Sequence, residues 1–107
     1  MADIEQPDER TLSLRELLSV PYRIEASTTE DPSGQWVRRA AYPELPGCTV
    51  EAPTIEDALR QLERRRLEII VATVRAGRTP PIPRPPLSGV DPAALAAELG
   101  VLLDHDA

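Results

Sequence analysis

The chain has 107 residues and a formal net charge of −6, from 18 acidic and 12 basic side chains, and every base is an arginine. That length holds one small domain with a modest core. That charge disfavours a nonspecific grip on nucleic acid and suits a basic protein partner. The lone Cys48 excludes an internal disulfide and, with His105 as the single histidine, a cysteine–histidine zinc site. No apolar run approaches the ~20 residues of a bilayer span, and the acidic start lacks a signal-like apolar segment, which points to the cytoplasm.

Residues 1–10 carry Asp3, Glu5, Asp8 and Glu9 around Pro7 and are expected to form a disordered acidic arm. Ser13 or Thr11 caps a short helix running to about Ser19, with Glu16 three residues after Ser13. Leu14, Leu17 and Leu18 give it an apolar side, and Pro21 ends it. Over 22–28, Tyr22, Ile24 and Ala26 alternate with Arg23, Glu25 and Ser27, the pattern of a half-buried strand. Residues 29–34 are turn formers throughout. Residues 35–41 return, with Trp36, Arg38 and Ala40 on one face and Val37, Arg39 and Ala41 on the other. One of the two arginines is expected to pair with Glu25 across the hairpin. Trp36 reads as a binding residue or, as is commoner for a single tryptophan in a small protein, as core or rim.

Pro43, Pro46 and Gly47 stiffen the crossing into a third strand over 48–51. A nucleophilic Cys48 needs a nearby base and an activated thiolate; with only His105 to help, a small buried hydrophobe is the better reading. Thr54 caps a long helix, with Asp57 placed to return the bond. Ile55, Ala58, Leu59, Leu62, Ile69, Ile70 and Thr73 make its apolar stripe, which Val71 and Val74 extend. Arg66 falls inside the stripe, its stem along the core edge and its head at water or a carboxylate. Arg60, Arg64 and Arg65 point outward, with Glu56–Arg60 and Arg64–Glu68 as pairs one turn apart. The run Arg64-Arg65-Arg66 suggests nucleic acid at first sight; a solvated face with its own acids is the simpler account.

Gly77 ends the helix in a left-handed cap. Residues 79–86 hold five prolines and should be extended and stiff, either as a ligand for a proline-binding groove or as a plain exit. Asp91 and Pro92 open a second short helix with Leu95, Leu99 and Leu102 as its stripe, broken near its end by Gly100. From Pro85 onward there are four acids and no base, which argues against a DNA-reading helix. The organisation is thus an arm at 1–10, a domain at 11–84 and a short acidic helical tail at 85–107.

No Gly-rich phosphate loop or metal-ligand spacing is present, and Glu44, Glu51, Glu56 and Asp57 lack the spacing of a divalent-cation site. Neither a catalytic residue, a metal nor a cofactor is therefore expected. The predicted fold is α+β, a small antiparallel sheet of three or four strands against one long helix. Glu30, Asp31, Glu44 and Glu51, with Trp36 and Tyr42 as aromatic anchors, are the candidate partner-binding residues. Exposed sheet edges predict a symmetric homodimer.

The strand at 22–28, the acidic-glycine turn, Trp36, and Tyr42-Pro43-Glu44-Leu45-Pro46-Gly47-Cys48 followed by Thr54-Ile55-Glu56-Asp57-Ala58-Leu59 together resemble the N-terminal domain of HicB-like antitoxins. The ending Ala76-Gly77-Arg78-Thr79-Pro80-Pro81-Ile82-Pro83 is similar too, so the likeness covers about residues 20 to 84. The resemblance implies a partial ribonuclease-H-like fold without nuclease activity. It also implies a partner, a small basic HicA-like toxin that is an mRNA interferase, whose catalytic histidine such domains cover. Full antitoxins usually add a helix-turn-helix or ribbon-helix-helix segment; residues 87–107 are too short and acidic to resemble either. An orphan adaptor or regulator of the same fold is the competing reading. An enzyme using Glu44, Glu51 or Asp57 comes third.

Overall fold

The computed structural model describes residues 11–103, so the expected acidic arm and the last four residues lie outside it. The elements are α1 (Leu14–Leu17), β1 (Glu25–Glu30), β2 (Trp36–Ala41), β3 (Thr49–Ala52), α2 (Ile55–Arg75) and α3 (Pro92–Leu99). The fold is α+β: the strands form one antiparallel sheet in the order β1-β2-β3, and the long α2 packs on it.

Local chemistry sets the helix ends. Ser13 accepts from the Glu16 backbone at 3.1 Å while the Glu16 carboxylate accepts from the Ser13 N–H at 2.9 Å, a complete capping box on α1. Thr54 accepts from the Asp57 N–H at 3.2 Å at the start of α2; the return bond from Asp57 does not form. Gly77, at φ +78, closes α2: its N–H bonds the Val74 carbonyl at 2.9 Å and that of Arg78 reaches Thr73 at 3.0 Å.

The first strand begins later than its alternation suggests. The Arg23 N–H donates to the Glu44 carboxylate at 2.8 Å instead of joining a ladder, so pairing starts at Glu25. Register also removes the expected cross-hairpin ion pair. Ala41 stands opposite Glu25, whose carboxylate pairs with Arg23, while Arg38 and Arg39 face Thr28 and Ser27.

Ala40 and Ala52 from the sheet, and Cys48 just before β3, meet Ala58, Leu62 and Ile70 from α2 in the core, all nearly or fully excluded from water. The stripe on α2 is shifted from the expected one. Leu67 is fully buried, whereas Leu59 is 39% exposed. A second layer lies beside the sheet, where α1 and α3 also pack on α2. On α3 the buried side chains are Pro92, Ala96 and Leu99; Leu102 lies beyond the helix end and is 84% exposed.

The proline-rich segment does not leave the body. Pro80 is buried, Tyr22 donates its hydroxyl to the Pro81 carbonyl at 2.6 Å, and the Leu87 N–H reaches the Ser19 carbonyl at 2.9 Å. It runs as a strap along 19–23 and delivers α3 back to α2.

Candidate partner-binding site

The β1–β2 hairpin tip is built by Asp31. Its Oδ1 accepts from the Ser33 hydroxyl at 2.6 Å and from the backbone of Ser33 and Gln35, each at 2.9 Å. These bonds, the Ser33 hydroxyl first, hold the Asp31 carboxyl below the usual carboxylate range. Gly34, at φ +88, completes the turn. Glu30 and Trp36 are cross-strand neighbours at the base of this tip. Trp36 is 67% exposed and stands outside the core, because α2 covers Ala40 further along the same face and does not reach it.

The opposite end of β2 holds a partly buried polar network. Tyr42 donates its hydroxyl to the Glu63 carboxylate. Burial first, then that acceptor, push the Tyr42 pKa upward. Arg66 donates Nε and Nη2 to Glu63 at 3.1 and 3.0 Å, and Nη1 to the Leu18 carbonyl at 2.7 Å. An open cleft of about 430 Å³ borders this network, with Val20, Tyr22, Val90 and Leu95 among its walls. Nearby, both oxygens of Glu44 are taken by Arg84, at 2.8 and 3.0 Å. The Arg84 bonds and the Arg23 N–H draw the Glu44 carboxyl down to about 2.

The six candidate residues therefore fall in separate places. Glu30, Asp31 and Trp36 share the hairpin tip. Tyr42 lies six residues along from Trp36, ~20 Å at strand rise, and its hydroxyl is committed, as is the carboxylate of Glu44. Glu51 is on β3 opposite Arg39, on the sheet face away from α2. The three consecutive arginines diverge as well: Arg64 goes to Glu68 at 3.3 Å, Arg65 to the Gly47 carbonyl at 3.4 Å, and Arg66 inward. Arg60 turns to Glu98 on α3 rather than to Glu56.

Cys48 is buried, and burial pushes its thiol up to about 11, so at neutral pH it is not the thiolate a nucleophile needs. Among the described residues no three His, Cys, Asp or Glu side chains gather as metal ligands, and no helix is long and apolar enough to cross a membrane. Sequence reasoning did not single out Glu63, Arg84 or the outer edge of β1. The Glu63–Arg66 spacing of three was a usable signal for the first; the Arg84–Glu44 pair spans 40 residues and left none. Comparison of the chain with protein-family models, curated proteins and solved structures gives no match, so the HicB-like reading rests on its own residues.

Proposed function

We propose that this chain is a non-catalytic binding module of the HicB-like antitoxin kind, which neutralises a small basic HicA-like mRNA interferase by covering its active site. The observation that carries the proposal is Trp36: the only tryptophan stands 67% exposed beside Glu30 at the acidic hairpin tip. A large exposed aromatic with acids around it suits a basic protein surface better than it suits water. The carboxylates an enzyme would need are dispersed, and Glu44 is held by the Arg84 guanidinium and the Arg23 backbone N–H.

A second reading, an adaptor of the same fold without a toxin, is favoured by α3. That helix packs into the core with Ala96 and Leu99, and among the described residues no helix-turn-helix forms, so promoter binding is not part of the proposal. The deciding experiment is to look for a small basic reading frame adjoining this gene and to titrate its product against the chain, with association kinetics followed by stopped flow. Tight binding, one subunit to one, with an on-rate that falls at high salt as steering is screened, supports the antitoxin reading. No binding at micromolar concentration gives precedence to the adaptor.

A further inference from the structure

β1 is an open edge, and the register says which of its groups are free. Antiparallel partners exchange backbone bonds at every second residue. The Asp31 N–H donates to the Gln35 carbonyl at 2.8 Å, a pair that continues the β1–β2 register. By that parity Thr29, Ser27 and Glu25 turn their backbone groups to β2, while Ala26, Thr28 and Glu30 turn theirs outward. All three outward residues are exposed. The bond from the Tyr42 N–H to the Cys48 carbonyl at 2.9 Å fixes the matching parity on the other side of β2.

β3, at the other edge, is a poorer platform. It has four residues against six in β1, and Pro53 follows it directly. The strap lies along 19–23 and leaves β1 uncovered.

Charge selects the occupant. Glu25 and Glu30 end the strand and Asp31 follows, with no base inside β1. Its centre, Ser27 and Thr28, is neutral and is backed by Arg39 and Arg38 on β2. An antiparallel copy that laid Thr28 on Thr28 would set Glu25 opposite Asp31 twice. Sliding that copy two residues either way leaves Asp31 diagonal to Glu25, and in the one register that brings Arg23 opposite Asp31 the Arg23 guanidinium is already paired with Glu25. Like charges directly opposite destabilise a sheet, so the in-register copy is disfavoured.

We propose that the outer edge of β1 receives, as a fourth strand, an extended segment of a partner protein that is neutral at its centre and basic at both ends. Main-chain bonds from Ala26, Thr28 and Glu30 supply the grip, and the acids at the strand ends set register and sign. Trp36, across from Glu30 on the same face, offers its ring to one of the cations. This rests on the reading of the chain as a module for a basic partner and names the contact.

The test uses the full chain and two peptides: Arg-Arg-Val-Thr-Val-Thr-Arg-Arg, and the β1 sequence itself, Glu-Ala-Ser-Thr-Thr-Glu. At saturation the basic peptide should slow amide exchange at Ala26, Thr28 and Glu30 by about tenfold, and the acidic one should not. Thr28→Pro, which removes an N–H that β2 does not use, should abolish the effect. If that variant does not fold, the exchange map on the unaltered chain decides alone. Protection at other amides, or equal protection by the acidic peptide, overturns the proposal. So does protection before any peptide is added together with a dimer mass in light scattering, which would make a second copy the occupant. A small basic neighbour that binds tightly yet leaves these amides unprotected overturns the edge and not the binding-module reading. Peptide protection without binding of that neighbour does the reverse.

Discussion

Arg84 grips Glu44 with two nitrogens on two oxygens, at 2.8 and 3.0 Å, across 40 residues of sequence. The pair fastens the proline-rich strap to the loop that leads into β3, and Arg84 also reaches the Pro21 carbonyl at 3.3 Å. Glu44 thus holds the chain to itself rather than standing ready for a partner. Reversing its charge is expected to loosen the fold as well as any interface.

Strong acid should undo that contact. The Glu44 carboxyl is lowered from 4.5 to about 2 by Arg84 and the Arg23 N–H, so its contribution is complete above about 4.5 and is lost as pH falls towards 2. The protection factor of the Leu87 amide, which holds the strap to Ser19, should fall in that window and not above it, once exchange is corrected for its intrinsic pH dependence. Glu44→Gln should give the lowered protection already at pH 7. An unchanged Leu87 in that variant would mean that Pro80 and the Tyr22–Pro81 bond hold the strap unaided.

The buried Arg66 should be costly to remove. It is 8% exposed and supplies the Leu18 carbonyl, while Glu63 relies on it for charge balance. Arg66→Ala is expected to cost about 3 kcal/mol in a urea melt, through an unpaired acid and an orphaned carbonyl. Arg66→Met combined with Glu63→Gln should recover part of the loss, since the two residues act as one unit. Additive losses in that cycle would show that the pair does not couple.

The two sides of α2 predict different costs. Leu62 is fully buried, and Leu62→Ala should cost ~2–5 kcal/mol through the cavity it leaves. Leu67→Ala should fall in the same range, because Leu67 is as fully buried as Leu62. Arg64 is exposed and pairs only with Glu68, so Arg64→Ala should stay within ~0.5 kcal/mol. A small effect at Leu67 would show that its side of the helix is not closed off from water.

Features governed by close neighbours were legible in the sequence. The Ser13–Glu16 box, the Thr54 cap and the Gly77 and Gly100 terminations follow from residues three to five apart, and each forms. Strand existence was legible from alternation, and the α+β class with it. Boundaries and faces were not, because distant partners decide them. The Glu44 carboxylate takes the Arg23 N–H and delays β1, and tertiary packing buries Leu67 while it leaves Leu59 39% exposed. Composition grouped Tyr42 with Trp36 as aromatic anchors, yet a Glu63 carboxylate 21 residues away commits the hydroxyl of the first.

Trp36 separates a structural role from an interfacial one. Its 67% exposure means that truncation forfeits little burial, so Trp36→Ala should lower stability by less than about 1 kcal/mol, the scale of a strand-propensity change. The same variant should weaken the complex with the small basic protein by about 2 kcal/mol or more, roughly thirtyfold, as an anchor at the centre of an interface does. Fluorescence supplies an independent check, since one tryptophan gives one signal: emission should lie at the water-exposed end in the free chain and move to shorter wavelength on binding. Trp36→Phe should retain more affinity than Trp36→Ala, because an aromatic ring still faces the partner's cations. A stability loss of several kcal/mol would place Trp36 in the core after all. Tight binding with both affinity and emission unchanged would move the interface off the hairpin tip, leaving Glu30 and Asp31 as parts of a turn.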